Sequence, residues 1–503
     1  MIKRRYFIKN TMFAGVGISF TNQLHAEIQN EIISRNSLAQ DARSAKKIII
    51  GGAGISGLCC AYELMKLGHD VVVLEASGRH GGHVFTGRDG LSDGLYADFG
   101  ADHITKPGYE KFFEYISDFG LEALAYPNAE GSPNLKDKNM LTMIDGKFYS
   151  EDMLADPVVL KKFGFNPNEI KFLSSHPWFE LKWFYLDSYL DKFSNPFQPF
   201  GIGYDDMDNI SVAELYKSKG ASQAALNYLG GKNTSALYTL WRMAVMKSRG
   251  IPASEGETFR VKGGNQQLPN AFAKHLGQRV KLAHIIRSVE QHEDGVTVSY
   301  KAFGRDDDQQ MKADYFVNCI SLRLFKNIPV TPALSPAKQF VVDNMAYSSH
   351  PFYVFEASSR FWIEDGFKSI NMQFEHPDIS LIWEEPNEVD TTRVVLKAFG
   401  PGGLSPQRVL AAFREVYPGK NDTIVQALTV DWTKDKFAPT CEMQPFPIGA
   451  MHKFWPEILK PEGRIYFVGT YADNLTVEWN HVFGQLKEWQ RKLMKNNFLP
   501  VII

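Results

Sequence analysis

The strongest ordering of apolar and polar positions along the chain lies between Ile48 and Arg79. Ile48–Ile50 is a run of β-branched apolar residues, which predicts a short strand buried on both faces. After a glycine-rich turn, Leu58, Ala61, Leu64 and Leu67 recur at helical spacing, with Gly68 as the stop. Val71–Leu74 predicts a second buried strand, closing on Glu75. Further along, Val280–Ile286 reads as a strand, Val296–Tyr300 alternates as a hairpin strand, and Ala313–Ile320 reads as the strand after it. Ser211–Tyr216 and Ser235–Met246 carry helical patterns. Trp178, Phe179, Trp183, Phe184, Tyr185 and Tyr189 are a dense aromatic stripe, of the kind that usually packs a core rather than cages a ligand. Asn195–Pro199 breaks that helical run.

The turn between the first two strands, Gly52-Ala53-Gly54-Ile55-Ser56-Gly57, has G-x-G-x-x-G spacing. The first glycine permits a tight turn, the second lets backbone approach a pyrophosphate, and the third lets helix pack on strand. The helix start then offers free N–H groups and a positive dipole end. Glu75 is placed to accept hydrogen bonds from a ribose. Strand, glycine turn, helix, strand and acid occur in order, which points to a dinucleotide.

Composition bounds the rest. With 503 residues and 44% hydrophobic, the chain has material for two domains. A formal net charge of -2 gives no footprint for nucleic acid. The 4 cysteines make no zinc pattern, and Cys59 and Cys60 read as small buried helix residues. Lys3-Arg4-Arg5-Tyr6-Phe7-Ile8-Lys9, the apolar stretch Met12–Phe20 and Leu24-His25-Ala26 together resemble a twin-arginine export signal over residues 1–26. The apolar run is too short to span a bilayer, so a periplasmic protein without a stable membrane span is expected.

From Glu75 onward the sequence resembles a known family. Glu75-Ala76-Ser77-Gly78-Arg79-His80-Gly81-Gly82-His83 followed by Thr86 resembles the E-A-x-x-R-x-G-G-R-x-x-T run of the flavin amine oxidases, which include monoamine, polyamine and L-amino-acid oxidases. The resemblance implies FAD as cofactor, with Arg79 and the Gly81–Gly82 pair near its phosphates. His83 stands where the family has a second arginine, weakening a charge contact while keeping a donor. Ala97-Asp98-Phe99-Gly100-Ala101-Asp102-His103 resembles the segment beside the flavin. Val261–Leu268 resembles the family's Gly-Gly turn before a helix, and the resemblance implies that Ile286 would hold the adenine through its backbone.

Tyr347–Trp362 resembles the stretch that carries a lysine nine residues before a Phe-Trp pair; here that position is Phe352, ahead of Phe361-Trp362, with no neighbouring lysine in register. In the family the lysine holds a water at flavin N5 and assists reaction with oxygen. Its replacement implies a dehydrogenase that hands electrons to a periplasmic acceptor. Cys441 falls at the register of the cysteine that monoamine oxidases bond to the flavin, yet its flanks differ, and a small packed cysteine is the other reading. Arg464–Thr470 resembles the terminal strand and turn, placing Gly469 and Thr470 at the flavin, with Tyr471 where the family has Glu. Trp479 would wall the substrate against the flavin, and Asn480 would lie at its pyrimidine edge; His481 reads as structural, with an acid–base role as the other reading.

The expected fold is therefore α/β: a discontinuous, Rossmann-like FAD-binding domain of residues 46–104, 260–330 and 460–490, with a mixed α+β substrate domain of residues 105–259 and 331–459. The expected chemistry is oxidation of the carbon–nitrogen bond of an amine or amino acid by hydride transfer to flavin N5, with no metal. Carbon–carbon desaturation and a catalytically inactive FAD-binding partner protein remain open alternatives.

Overall fold

The computed structural model describes residues 45–102, 104–125, 140–250, 257–348, 351–440 and 442–472. His103, Cys441, Trp479, Asn480, His481 and the export-signal residues 1–26 lie outside the described residues.

The triple isoleucine forms the strand Lys47–Gly51 at the centre of a five-stranded parallel sheet. In space the strands run Val280–Lys281, Asp70–Leu74, Lys47–Gly51, Tyr315–Asn318 and Ile465–Phe467. Ile49, Ile50, Val71 and Val317 are fully buried, as strands covered on both faces require. The helix Ile55–Lys66 crosses between the first two strands and buries Leu58, Cys59, Cys60, Ala61 and Leu64. A second sheet of seven strands is ordered Ile424–Thr429, Phe352–Ala357, Val394–Phe399, Ile379–Glu385, Met372–His376, Leu141–Ile144 and Lys147–Ser150. It is antiparallel apart from the Met372–Leu141 pairing.

Two expected strands have different bounds. Val280–Ile286 is broken into Val280–Lys281 in the parallel sheet and His284–Gln291 in a four-stranded sheet. Between them Ala283 takes φ +57°, a left-handed residue that turns the chain from one sheet into the other. Ala313–Ile320 is likewise two elements, because Gln309–Ala313 ends the hairpin before Tyr315–Asn318 enters the parallel sheet. The two expected helices form as Val212–Ser218 and Ala236–Ser248, each capped by its serine, Ser211 and Ser235.

The aromatic stripe packs a core. Tyr185 is buried, and Trp178, Trp183 and Tyr189 pack on the same apolar cluster, which also contains Ile49, Leu74 and Phe316 of the parallel sheet. One continuous core thus joins the helical insertion to the sheet. At its edge Lys338 is fully buried, donating to the carbonyls of Ile458 at 3.2 Å and Lys460 at 2.8 Å and lying 4.5 Å over the Phe467 ring. It fastens the helix Pro336–Asn344 to the turn before the last parallel strand.

Lys338→Met should strip the charged donor from buried carbonyls and cost about 3 kcal/mol of stability. Denaturant unfolding of the two proteins measures this; a difference under about 0.5 kcal/mol would mean the lysine only fills space.

Candidate functional site

The C-terminal ends of the central parallel strands deliver the glycine turn. Gly52, at φ +96°, donates its N–H to Leu74 O at 2.8 Å, tying the turn to the neighbouring strand. Gly57 packs so close that a Cβ there would lie 1.9 Å from Gly52 O. A Cβ on Gly54 would meet nothing within 4 Å, because this glycine faces an open cavity. The glycine pair closes on the same turn: Gly81 donates to Ala53 O at 2.8 Å, and a Cβ on Gly82 would come within 3.2 Å of Gly54 Cα. Glu75 accepts from the N–H groups of Ala53 at 2.7 Å and Ser77 at 2.8 Å. Its carboxylate therefore braces the turn, and its remaining lone pairs face the cavity that it lines.

That cavity, about 500 Å³, extends from the glycine turn to an aromatic far end. Gly52, Gly54, Ile55, Ser56, Glu75, Ala76, Arg79, Gly82, His83 and Ile286 line one part; Gly100, Ala101, Asp102 and Phe352 line it further along, and Gly469 and Thr470 line it from the last strand. The structure thus brings together the expected site residues that it describes, apart from the buried turn residues Ala53 and Gly57 behind the lining. Gly100 is there because nothing larger fits: its Cβ would lie 1.7 Å from His83 O, to which Ala101 also donates at 3.2 Å.

His83 departs from expectation. Its Nε2 lies 2.8 Å from Ala438 O, and a carbonyl only accepts, so Nε2 carries the hydrogen. The donor is thereby spent within the protein, and buried Nδ1, without a protein partner, is an acceptor. Burial, reinforced by the Arg79 charge, lowers the imidazole pKa to about 4 against the pull of Ala438, so His83 is neutral near pH 7 and cannot serve as a cation. Its ring centroid lies 4.3 Å from that of Trp432, the planes tilted by 31°, while Trp432 Nε1 donates to Phe99 O at 2.9 Å. The Arg79 guanidinium lies 5.5 Å over the same indole, with Nη1 buried and unpartnered.

Phe352 also brings a correction. It lines the cavity as expected, but a lysine stands directly behind it. Lys397, on the adjacent strand Val394–Phe399, is fully buried with its ammonium 3.8 Å from the Phe352 ring centroid. Register missed it because it arrives across a strand pairing, Val354 opposite Lys397, residues 43 apart along the chain. Lys397 donates to Asp98 O at 2.7 Å and Asp102 Oδ2 at 2.5 Å, and pairs with Glu385 at 3.3 Å. Burial opposes its charge, but Asp102 and Glu385 outweigh this and hold its pKa above the usual lysine value. Arg260 completes the group, 3.0 Å from both Asp98 and Glu385. Burial pushes Asp98 up to about 6, against Arg260 and with Glu385. None of Arg260, Glu385 and Lys397 was singled out from sequence, though a lone charge inside apolar runs such as Val394-Val395-Leu396-Lys397-Ala398-Phe399 is the available signal.

The fit to FAD rests on these features. An open Gly54 face and free helix N–H groups suit a pyrophosphate. Unpartnered Arg79 Nη1, His83 Nδ1 and Ser321 Oγ are buried polar atoms on the cavity wall that call for a polar ligand. Gly54→Val should fold yet load no flavin, since its side chain enters only the cavity; Gly57→Ala should lose stability outright. Absorbance of the purified proteins and their unfolding curves separate the two. A yellow Gly54→Val protein would refute this placement.

Comparison with known proteins agrees with the geometry. The sequence model for flavin containing amine oxidoreductases matches residues 55–477. The chain is 26% identical to an L-amino-acid oxidase of Vipera ammodytes ammodytes over 88% of this chain and 90% of that one. It is 27% identical to that of Daboia russelii, over 88% and 87%. Among solved structures, putrescine oxidase bound to putrescine superposes with a TM-score of 0.72 at 20% identity, covering 90% of this chain and 99% of the other. Cyclohexylamine oxidase from Brevibacterium oxydans gives 0.66 at 21%, covering 89% and 100%. The glycine turn, the paired-glycine clasp and the matched length together establish that this chain belongs to the flavin-containing amine oxidoreductases, FAD-dependent enzymes of mixed α/β fold.

Proposed function

We propose that this enzyme oxidises the carbon–nitrogen bond of an amine or amino acid at the aromatic end of its cavity. The observation that carries the reading is the continuity of one cavity from the glycine turn to the wall made by Phe352, Phe399, Trp432 and Phe437. When bound, FAD supplies a hydride acceptor at N5. The chain's residues do the rest. Backbone N–H groups from Gly54 to Gly57 would hold the pyrophosphate, Glu75 would take the ribose, and the aromatic wall would exclude water and orient the reacting carbon. The two-domain division is supported by the sheets: every parallel-sheet strand falls in 46–104, 260–330 or 460–490, and every strand of the seven-stranded sheet in 105–259 or 331–459.

The electron acceptor follows from the same wall. Reaction of a bound flavin with oxygen would develop negative charge beside the ring, which an unopposed cation would stabilise. Here Phe352 presents a phenyl ring, and the cation behind it is held by carboxylates. The acceptor is therefore a periplasmic carrier rather than oxygen. Anaerobic mixing with amines and amino acids should bleach the flavin; re-mixing the reduced enzyme with oxygen should recolour it more slowly than turnover, and Phe352→Lys should speed this step. Oxygen recolouring as fast as turnover would overturn the acceptor reading, and no bleaching by any amine or amino acid would overturn the reaction.

Export by the twin-arginine route is proposed from Arg4 and Arg5 and suits a protein that folds around its cofactor before crossing. Arg4→Lys with Arg5→Lys should leave the enzyme in the cytoplasm, as cell fractionation would read. A double variant that still reaches the periplasm argues for another route.

A further inference from the structure

Two cations meet in the helical insertion, away from the cofactor cavity. The helices Leu181–Leu190 and Ala236–Ser248 pack against each other. Near their ends Lys247 pairs with Asp187 at 2.8 Å and with Asp191 at 3.1 Å, and Lys247 lies 60 positions beyond Asp187. Lys182 and Arg242 have the same offset of 60, nearer the start of each helix, so helices running side by side in this register bring the two together. Both side chains are half-buried. Burial, reinforced by the Arg242 charge, lowers the Lys182 ammonium from its ordinary pKa. Among the described residues no carboxylate forms an ion pair with Lys182 or Arg242, and the aspartates further along the first helix are held by Lys247.

The Arg242 guanidinium is engaged on one side. Its Nη1 donates to Tyr238 Oη at 3.4 Å, while buried Nε has no acceptor, and none meets Nη2 among the described residues. Nε and Nη2 form the edge that grips a carboxylate or phosphate through two parallel hydrogen bonds. Arg360 uses that edge on Glu384, with Nε at 3.1 Å and Nη2 at 2.6 Å from Oε1. Trp183, next to Lys182, also has its indole N–H buried without an acceptor. Each unmet group here is a donor, which calls for an acceptor that carries negative charge.

We propose that the Nε–Nη2 edge of Arg242 and the Lys182 ammonium form a second ligand site, apart from the cofactor cavity, for a small oxyanion bearing a carboxylate or phosphate. Neither residue lines the cavity. Two adjacent cations withdrawn from water are unfavourable, and an anion between them offsets both the desolvation and the repulsion. The planar fork sets the direction of two oxygens, and the ammonium adds a third contact. An apolar side chain at position 182 would fill the same space at less cost. Lys182 therefore lowers the stability of the protein without the anion and raises that of the complex.

The test uses the FAD-loaded protein, in which the cofactor's own phosphate site is filled. Thermal unfolding is followed at constant ionic strength while inorganic phosphate or succinate replaces part of the chloride. At least one should stabilise the protein saturably, succinate alone marking a carboxylate site and phosphate alone a phosphate site, and the flavin spectrum should not change. Lys182→Met should raise the unfolding temperature in chloride and weaken the anion's apparent affinity about tenfold or more, the size expected for a charged hydrogen-bonded contact. Arg242→Lys keeps the charge but loses the fork, and it should weaken the anion by a similar factor; either variant alone decides the matter if the other fails to fold. No stabilisation beyond that of chloride, stabilisation that the variants keep in full, or a flavin spectral change that tracks the anion would each overturn the site. A lower unfolding temperature of Lys182→Met in chloride would overturn it too, because the lysine would then have its counter-ion within the protein.

Discussion

A buried charged residue must be paired, and in this chain that requirement joins pieces that sequence keeps far apart. Asp98 belongs to a two-stranded ribbon, Arg260 to the strand Glu257–Val261, and Glu385 and Lys397 to the seven-stranded sheet. Asp98 alone accepts from Arg260, Thr86 and the backbone of Asn265, while its own N–H donates to Glu385 at 3.0 Å. Breaking one member of such a group leaves an uncompensated ion, costing about 3–5 kcal/mol, so the group moves as a unit or not at all. The segment Ala97–Asp102 is thereby fixed between the cofactor turns on one side and the Phe352 wall on the other. Placement of Gly100 against His83, which only a glycine permits, follows from it.

Local order was legible in the sequence and long-range order was not. The strand–turn–helix–strand unit at Ile48–Glu75 is specified by residues within 30 positions of one another, and glycine spacing has a steric reason that holds whatever surrounds it. Ser211–Tyr216 and Ser235–Met246 likewise showed as local helical patterns, and each helix starts on its serine as cap. The errors came where a contact crosses between strands. Ala283 breaks a run that its apolar neighbours would continue, because the chain must leave one sheet for another. Lys397 reaches Phe352 through a lateral pairing, and Asp102 reaches Lys397 over 295 residues. No periodicity encodes either.

His83 and Phe352 show how a substitution read in isolation can mislead. On sequence, histidine for arginine keeps a donor and phenylalanine for lysine removes a charge. In the fold, the donor of His83 is already committed to Ala438 O, and the charge missing at Phe352 stands just behind its ring. Yet the lysine does not restore what a lysine at the wall would supply. Its ammonium is surrounded by Asp98 O, Asp102 and Glu385, and the ring separates it from the cavity.

The two ends of the cavity therefore use opposite means. At the glycine turn, backbone N–H groups and the Arg79 guanidinium are set to meet an anionic pyrophosphate, and the protein need bury little charge of its own there. At the far end the protein buries five ionised side chains within a few ångströms of an aromatic wall. Hydrophobic side chains of similar volume would hold that wall with no desolvation cost. A network of this kind is difficult to explain as a stabilising device alone. What it provides is placement: it draws Asp98, Arg260, Glu385 and Lys397 together from three separate sheets and holds the Ala97–Asp102 segment against the Phe352 wall.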